Sequence, residues 1–315
     1  MIDGSVVREI DIGSFQRRIL QQERDLPAQI RRVESPGKQP PVNVILGALI
    51  VVAVTAITVS AMLLVRRRAP EGSYFSDGDR ASGVFGVLAT GFALVLGFMI
   101  FLAFASYDES RSGAQTEATI VAQQVQTAQF LPADVSAELT GELVCYGRSV
   151  AGIEWDAVSA GRLTDGINPW GAEMFHTLRA VRPTTATEQS AYDQWMDQTI
   201  DRQTARNDRL HGAEGIIPLP VWVVLFLIAG VIFAYVLFFA DPAERALTQG
   251  MLMGSVSIVV SLLMLLLIFF NHPLGDGLGT LQPTAMERSL SLIDAQIEVA
   301  GLKVTPPCDQ QGKAL

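Results

Sequence analysis

The side chains best suited to catalysis or metal binding are few in this sequence and stand apart from one another. The histidines His176, His211 and His272 have no second ligand at the i+3 or i+4 spacing that a metal site on a helix uses. The chain has neither a phosphate-binding Walker loop nor a Gly-x-Ser-x-Gly nucleophile turn. We therefore predict no enzyme activity, no cofactor and no metal site.

Two short motifs resemble ligand-binding sequences but lack the features that such sites need. The glycine-rich run 275–279 follows an apolar block and no strand, so it is typical of a flexible turn and not of a dinucleotide site. The Asp-Gly-Asp run 77–79 lacks the remaining ligands of a calcium loop. Neither motif indicates a binding site.

The apolar residues are concentrated in four blocks that contain no Asp, Glu, Lys, Arg or His, namely 42–65, 83–105, 216–240 and 251–270. A helix needs about 20 residues to cross the hydrocarbon core of a membrane. A central Arg would cost roughly 2.5–3.5 kcal/mol on insertion, so blocks without charge insert readily. Four such blocks in a chain of 315 residues disfavour the alternative of buried helices in a soluble core. We predict an all-α integral membrane protein with four transmembrane helices.

The remaining segments are polar and mostly helical in pattern. They are a polar N-terminal tail at 1–41, a helical extramembrane domain at 106–215 and a C-terminal tail at 271–315. Within the domain, Thr185 and Glu188 form a capping-box pattern that opens a helix. The C-terminal tail contains an amphipathic stretch with four apolar residues on one face: Met286, Leu290, Ile293 and Ile297.

The negative charge of the chain is concentrated in the large extramembrane segment. The net charge is −9, and residues 106–217 hold 16 acids and 8 Arg, which sum to −8. Phosphate binding needs a basic surface, so nucleic acid is excluded as a partner. An acidic surface instead suits a protein partner.

Charge near the membrane leaves the orientation open. Four spans place both tails and the large segment on one side, and loops 66–82 and 241–250 on the other. The Arg66–Arg68 cluster favours a cytoplasmic position for its loop, but basic residues of the N-terminal tail oppose it equally. The lipid bilayer of the cell membrane is therefore predicted as the environment, with the side of the large domain undecided by charge.

The cysteines Cys145 and Cys308 lie on the same side in this topology. If that side is oxidising they can pair, and closing so long a loop would stabilise the fold by about 4–5 kcal/mol in the chain-entropy account. The alternative is two unrelated thiols. The pair favours an extracytoplasmic position of the large domain.

Small residues form two stripes within the apolar blocks. Ala89, Ala93 and Gly97 recur at i, i+4 and i+8, and Gly250 and Gly254 open the fourth block. Such stripes allow helices to approach closely in membranes. We predict helix packing at both.

A further stripe, formed by Thr90, Leu94 and Phe98, runs beside the Ala89, Ala93 and Gly97 stripe. It either packs inside the bundle or faces a symmetry axis and lines a constriction. An apolar ring can gate a pore by dewetting without any charged residue.

The run Phe92–Phe98, with its Leu-Gly-Phe ending, and the polar run Ser106–Arg111 that follows resemble the bestrophin-like family of bacterial membrane proteins, and more distantly the bestrophin anion channels. The resemblance covers roughly 83–300. It implies an oligomeric channel with a pore lined by the second span and a neck at Thr90, Leu94 and Phe98. Of these three residues, only Phe98 keeps the bulky aromatic character of the bestrophin neck.

Two features depart from what the resemblance implies. Tyr107-Asp108 stands where bestrophins carry a tandem Trp, and the acidic segment would repel anions from a mouth that it lined. Bestrophins also place the corresponding soluble part in the cytosol, opposite to what the cysteines favour. The alternative function is a non-conducting membrane anchor whose acidic domain docks a partner protein complex.

Overall fold

The computed structural model describes residues 44–69, 74, 75, 77–162, 168–213, 215–274 and 280–315. Within these ranges the regular elements are helices, and a single β-bridge joins Cys308 and Ala314. The polar tail 1–41 and the glycine-rich run 275–279 lie outside the described residues. The helices, in chain order, are α1 Val44–Arg66, α2 Gly78–Ala128, α3 Ala133–Ser149, α4 Trp155–Ser159, α5 Trp170–Ala180, α6 Ala186–His211, α7 Leu219–Phe238, α8 Ala246–Asn271 and α9 Thr284–Ala300.

Four helices, α1, α2, α7 and α8, are long and apolar enough to cross a membrane. This confirms the predicted all-α membrane fold. The second of them continues far beyond the predicted apolar span 83–105, since α2 has 51 residues and a length of about 75 Å. No Pro or Gly follows residue 105 until Gly113, so nothing stops the helix where the polar sequence begins.

The membrane halves of α2, α7 and α8 share an apolar core. Phe92 and Leu96 of α2 pack in it with Leu225 of α7 and with Met264 and Leu267 of α8. These side chains recur every three or four residues along their helices, so each helix buries one face and leaves the other exposed.

Helix α1 packs against α8 at the small residues of the latter. A Cβ placed on Gly254 would lie 3.8 Å from Thr55 and Val59, and one on Gly250 would lie 3.8 Å from Val59 and Met62. A hydrogen bond of 2.9 Å between the hydroxyls of Thr58 and Ser257 joins the same two helices.

The loops at one end of the bundle meet. Arg66, at the end of α1, donates to the carbonyl oxygens of Asp241 at 3.1 Å and Pro242 at 3.0 Å. Tyr74 packs edge to face on Phe238, with ring centroids 5.7 Å apart. The two loops that the span count places on one side are therefore in contact.

The other end of the bundle carries the helical domain, built from the outer half of α2 together with α3, α5, α6 and α9. Its core includes Val121 of α2, Leu143 of α3, Trp195 of α6 and Ile293 of α9. The predicted capping box at the start of α6 is confirmed, because Thr185 and Glu188 accept from each other's backbone N–H groups. Between α3 and α4 the helix widens into a π-turn at Val150–Glu154.

Candidate functional site

The candidate pore stripe is the face of α2 that turns away from the membrane bundle. Thr90 is exposed, as are Leu94 (73%) and Phe98 (56%), whereas Phe92 and Leu96 on the opposite face are buried. The spacing i, i+4, i+8 places all three predicted neck residues along one side of the helix. This side of α2 is exposed in the single chain and can face either lipid or a neighbouring subunit.

A further aromatic residue lies on the same face. Phe101 is three residues after Phe98 and is 64% exposed. On a helix these two rings are neighbours. Phe101 was not among the predicted neck residues, although an i+3 step along the same helical face leads from Phe98 to it.

The stripe continues outside the membrane with a different chemistry. On the same face of the outer half, the exposed acids Asp108 and Glu109 stand at the membrane boundary, and exposed, uncharged polar residues follow them: Ser112, Thr116, Thr119 and Gln123. Beside them runs a groove of about 500 Å³ between α2 and α6, where Asp201 and Asp208 add negative charge. One face of a single helix thus changes from apolar to polar at the membrane boundary.

The two small-residue stripes differ in what they contact. Gly250 and Gly254 lie against α1, as described above. Gly97, by contrast, has no atom of the described residues within 4 Å of a Cβ placed on it, and Ala93 beside it is exposed while Ala89 is half-buried. The stripe of α2 is therefore open on the surface of the protomer.

The outer half of α2 approaches α6 most closely at Gly113. A Cβ at this position would lie 2.5 Å from the backbone N of Arg209 and 2.8 Å from the carbonyl O of Ala205. Only glycine allows such backbone contact. One turn further along α2, this approach brings Glu117 opposite the side chain of Arg209.

Glu117 and Arg209 form a fully buried ion pair. The Arg209 Nε donates to Glu117 Oε2 at 2.5 Å, and the Tyr146 hydroxyl donates to Glu117 Oε1 at 2.6 Å. Burial raises the pKa of Tyr146 well above its ordinary value, and the nearby Glu117 carboxylate adds to the effect. The tyrosine therefore remains a proton donor at any physiological pH.

Glu154 extends the network from the π-turn. Its Oε1 accepts from Arg209 Nη2 at 2.5 Å and from Arg206 Nε at 3.1 Å. Burial alone would lower the pKa of Arg209, but the carboxylates of Glu117 and Glu154 outweigh it and raise that pKa. Arg209 therefore stays charged. Single π-turns inside α-helices, such as the one that carries Glu154, are frequently found at functional sites.

Arg202 completes the network at its outer end. Its Nη1 donates to Gln124 Oε1 at 2.9 Å, and its guanidinium lies 4.6 Å from the centre of the Tyr146 ring. Gln124 in turn donates to the Thr199 hydroxyl at 3.1 Å. We call the set Glu117, Gln124, Tyr146, Glu154, Arg202, Arg206 and Arg209 the buried charge network. It ties the outer half of α2 to α3, the π-turn and α6.

The sequence analysis did not single out this network. Its one available signal is the i, i+4, i+7 spacing of Arg202, Arg206 and Arg209, which places three cations on one face of α6. The acidic partners come from elsewhere in the chain, so their pairing is a property of the fold.

The C-terminal segment, residues 302–315, is held against α3 and α5. A disulfide joins Cys145 of α3 to Cys308, across 163 positions of sequence. The Trp170 indole N–H donates to the carbonyl of Gly312 at 2.7 Å. Gly312 has φ +80°, and a Cβ there would overlap the backbone of Ser149. Three independent contacts thus fix this segment.

The described part of the chain contains no preformed metal-binding site. No three of its His, Cys, Asp and Glu side chains converge on a point where an ion would sit.

Comparison with known proteins gives a consistent result. A sequence model of the Bestrophin-like domain matches residues 52–283. A bacterial bestrophin homologue from Klebsiella pneumoniae is 14% identical, with a TM-score of 0.60 over 83% of this chain and 100% of that one. A point variant of a bestrophin homologue from the same organism is also 14% identical, with a TM-score of 0.58 over 82% of this chain and 99% of that one. Among curated proteins, none matches this sequence. At such identity the solved structures show a shared fold.

Proposed function

Since this chain belongs to the bestrophin-like family, we propose that it is an oligomeric ion channel whose pore is lined by α2. The observation that supports this most directly is the candidate pore stripe. Exposed Leu94, Phe98 and Phe101 lie in the membrane half of α2. The same face continues with Asp108 and Glu109 at the membrane boundary and then with uncharged polar side chains in the outer half. A ring of copies that turns this face to its axis would have an apolar neck and a hydrated vestibule.

In this proposal the apolar neck is a hydrophobic gate, which closes by excluding water. Rings of Leu and Phe resist wetting, so ions pass only when the ring widens or is partly hydrated. The membrane half of α2 carries no ionisable residue between 83 and 105. In this proposal conduction depends on the width of the neck and not on a fixed charge.

The small-residue stripe of α2 suits the same arrangement. Ala93 and Gly97 lie beside the neck residues and are open to the surface of the protomer. In a ring they would let neighbouring α2 helices approach closely. The stripe is then a contact between subunits, whereas Gly250 and Gly254 serve within the subunit.

The test is ion flux into liposomes that contain the purified protein. We expect flux of Cl⁻, K⁺ or both, and a severalfold increase with Phe98→Ala, because a shorter side chain widens the neck and eases wetting. Phe226→Ala is the matched control, since Phe226 of α7 is 57% exposed and lies off the stripe. It should leave the flux unchanged.

Absence of flux in the wild type and in Phe98→Ala alike would refute the channel. That outcome, with a monomer or dimer in detergent and a partner recovered through the acidic domain, would instead favour the non-conducting anchor. Equal effects of Phe98→Ala and Phe226→Ala would remove the neck from the proposal while leaving conduction in place.

We also propose that the helical domain lies outside the cytoplasm. The Cys145–Cys308 bridge is buried in this domain, and disulfides persist in oxidising compartments. On the opposite side, the Arg66–Arg68 cluster then lies in the cytoplasm, as positive charge prefers, while the equally basic N-terminal tail lies outside. The orientation is therefore proposed from the disulfide and not from charge. Labelling intact cells with a membrane-impermeant maleimide tests this in single variants with one added cysteine, at exposed Arg182 or at exposed Arg68. Label on Arg182→Cys alone supports this orientation, and label on Arg68→Cys alone reverses it.

A further inference from the structure

A second cavity lies away from the candidate pore stripe, between α3, α5 and the C-terminal segment. Its volume is about 380 Å³, within the range of small-ligand sites. Three carboxylates line it: Glu138 and Glu142 from α3, and Glu173 from α5. Trp170 and Pro307 add apolar wall.

The buried carboxylate of this cavity is incompletely bonded. Glu142 is 6% exposed, and its Oε1 accepts from the Thr177 hydroxyl at 2.9 Å. Its buried Oε2 has no hydrogen-bond partner among the described residues. A buried carboxylate oxygen without a donor is costly unless a ligand supplies one or the group takes up a proton.

The charges around Glu142 share its sign. The pKa of Glu142 is raised to about 7: burial is the largest cause, Glu138 and Glu173 add to it, and the Thr177 hydrogen bond acts in the opposite direction. The C-terminal segment contributes Thr305, Pro307 and Ala314 to the lining, all without side-chain charge. The cavity therefore favours a positively charged occupant that donates hydrogen bonds.

The geometry favours an organic cation over a bare metal ion. The three carboxylates do not converge on a metal position, and the cavity far exceeds the volume of an ion. Its apolar wall, which includes Trp170 and Pro307, can cover a carbon body. We propose that this cavity binds a small primary ammonium ion, whose N–H groups donate to Glu142 and whose carbon body lies against Trp170 and Pro307.

The C-terminal wall of the cavity depends on the disulfide. Cys308 adjoins Pro307, and its bridge to Cys145 holds this wall on α3. The bridge is one of the three contacts that fix this wall, so we expect reduction to weaken the binding of the ammonium ion without abolishing it.

The test is calorimetric titration of the detergent-solubilised full chain with 2-phenylethylammonium, a primary ammonium ion with an aromatic body. We expect a dissociation constant below about 1 mM at pH 8. Neutral 2-phenylethanol and the quaternary ion trimethyl(2-phenylethyl)ammonium should bind at least tenfold more weakly, since the first lacks charge and the second lacks an N–H donor.

Variants and pH locate the site. Glu142→Gln should weaken binding at least tenfold, and Glu287→Gln, at an exposed acid on α9, should not change it. Because Glu142 must be ionised to hold the ligand, wild-type affinity should rise between pH 6 and pH 8, and this rise should vanish in Glu142→Gln. A merely structural role of Glu142 would not produce that loss.

Three outcomes would overturn the inference: no binding by the wild type, equal binding of 2-phenylethanol, or undiminished binding by Glu142→Gln with a normal melting temperature. Tighter binding of Ca²⁺ than of the ammonium ion would replace it with a metal site. The readout requires no ion flux, so these results are independent of the channel proposal.

Discussion

Arg209 stands between two carboxylates in a place that water does not reach. Burying ions is costly, and their mutual attraction offsets that cost only when every partner is present. Glu117 also accepts from the Tyr146 hydroxyl, and Glu154 accepts from the Nη2 of the same guanidinium. The network is therefore far more sensitive to losing one member than to losing a matched pair.

We expect Arg209→Met to destabilise the helical domain by about 3–5 kcal/mol, because Glu117 and Glu154 would be left buried without their cation. The measurement is denaturant unfolding in detergent, followed by tryptophan fluorescence. Arg111→Met, at an exposed position on α2, is the control and should change stability little. The double variant Glu117→Gln, Arg209→Met should lose less than the sum of the single variants; strict additivity would contradict the pairing.

The neck residues and the buried charge network illustrate what a sequence can and cannot predict. Leu94 and Phe98 were predicted from their i+4 spacing, and Phe101 follows Phe98 at i+3 on the same helical face. Glu117 and Arg209 are 92 positions apart, and their pairing requires the close approach of two helices that local patterns do not determine. Glu154 adds a second difficulty, since a π-turn changes the helical register on which face assignments depend.

At the scale of elements, α2 is one continuous helix whose two halves lie in different environments, the membrane and the helical domain. Its membrane half packs on α7 and α8, and its outer half packs on α6 through Gly113. The four spans were predictable because the absence of charge over about 20 residues is a local property. The continuation of α2 to Ala128 was not, because polar helix and extramembrane loop share a similar composition when Pro and Gly are absent.

The two glycines of α2 make a matched experiment. We expect Gly113→Ala to destabilise the domain by about 1–3 kcal/mol, since the added methyl would force α2 and α6 apart. Gly97→Ala meets no described atom within 4 Å and should leave the protomer as stable as before or slightly more so.

Unfolding in detergent separates these two effects, and native mass spectrometry adds the oligomeric state. A smaller or weaker oligomer with Gly97→Ala would support the subunit contact proposed for this stripe. An unchanged oligomer together with an unchanged protomer would remove Gly97 from that contact.

At the scale of the whole molecule, the disulfide links two segments separated by two membrane spans. In the chain-entropy account a loop of this length is worth about 5 kcal/mol. That value is an upper bound here, because α7 and α8 lie between the two cysteines and remain in lipid when the outer domain unfolds, which already restricts the loop.

Reduction of the wild type should therefore lower the melting temperature of the outer domain, by an amount that Cys145→Ser reproduces without reductant. Reductant should have no further effect on that variant. Thermal unfolding with and without dithiothreitol measures both. Identical melting of reduced and oxidised wild type would show that the C-terminal segment is held by its Trp170 and Gly312 contacts alone.

The uninterrupted length of α2 has a mechanical consequence. A helix of about 75 Å without proline is stiff, so a tilt of about 5° at its membrane end would sweep its outer end through about 6 Å. A force on the outer domain, whether from a bound molecule or from a neighbouring copy, would then be transmitted along α2 to the residues proposed as the neck. A protein built in this way can sense an event far from the bilayer without any separate linker to carry the signal.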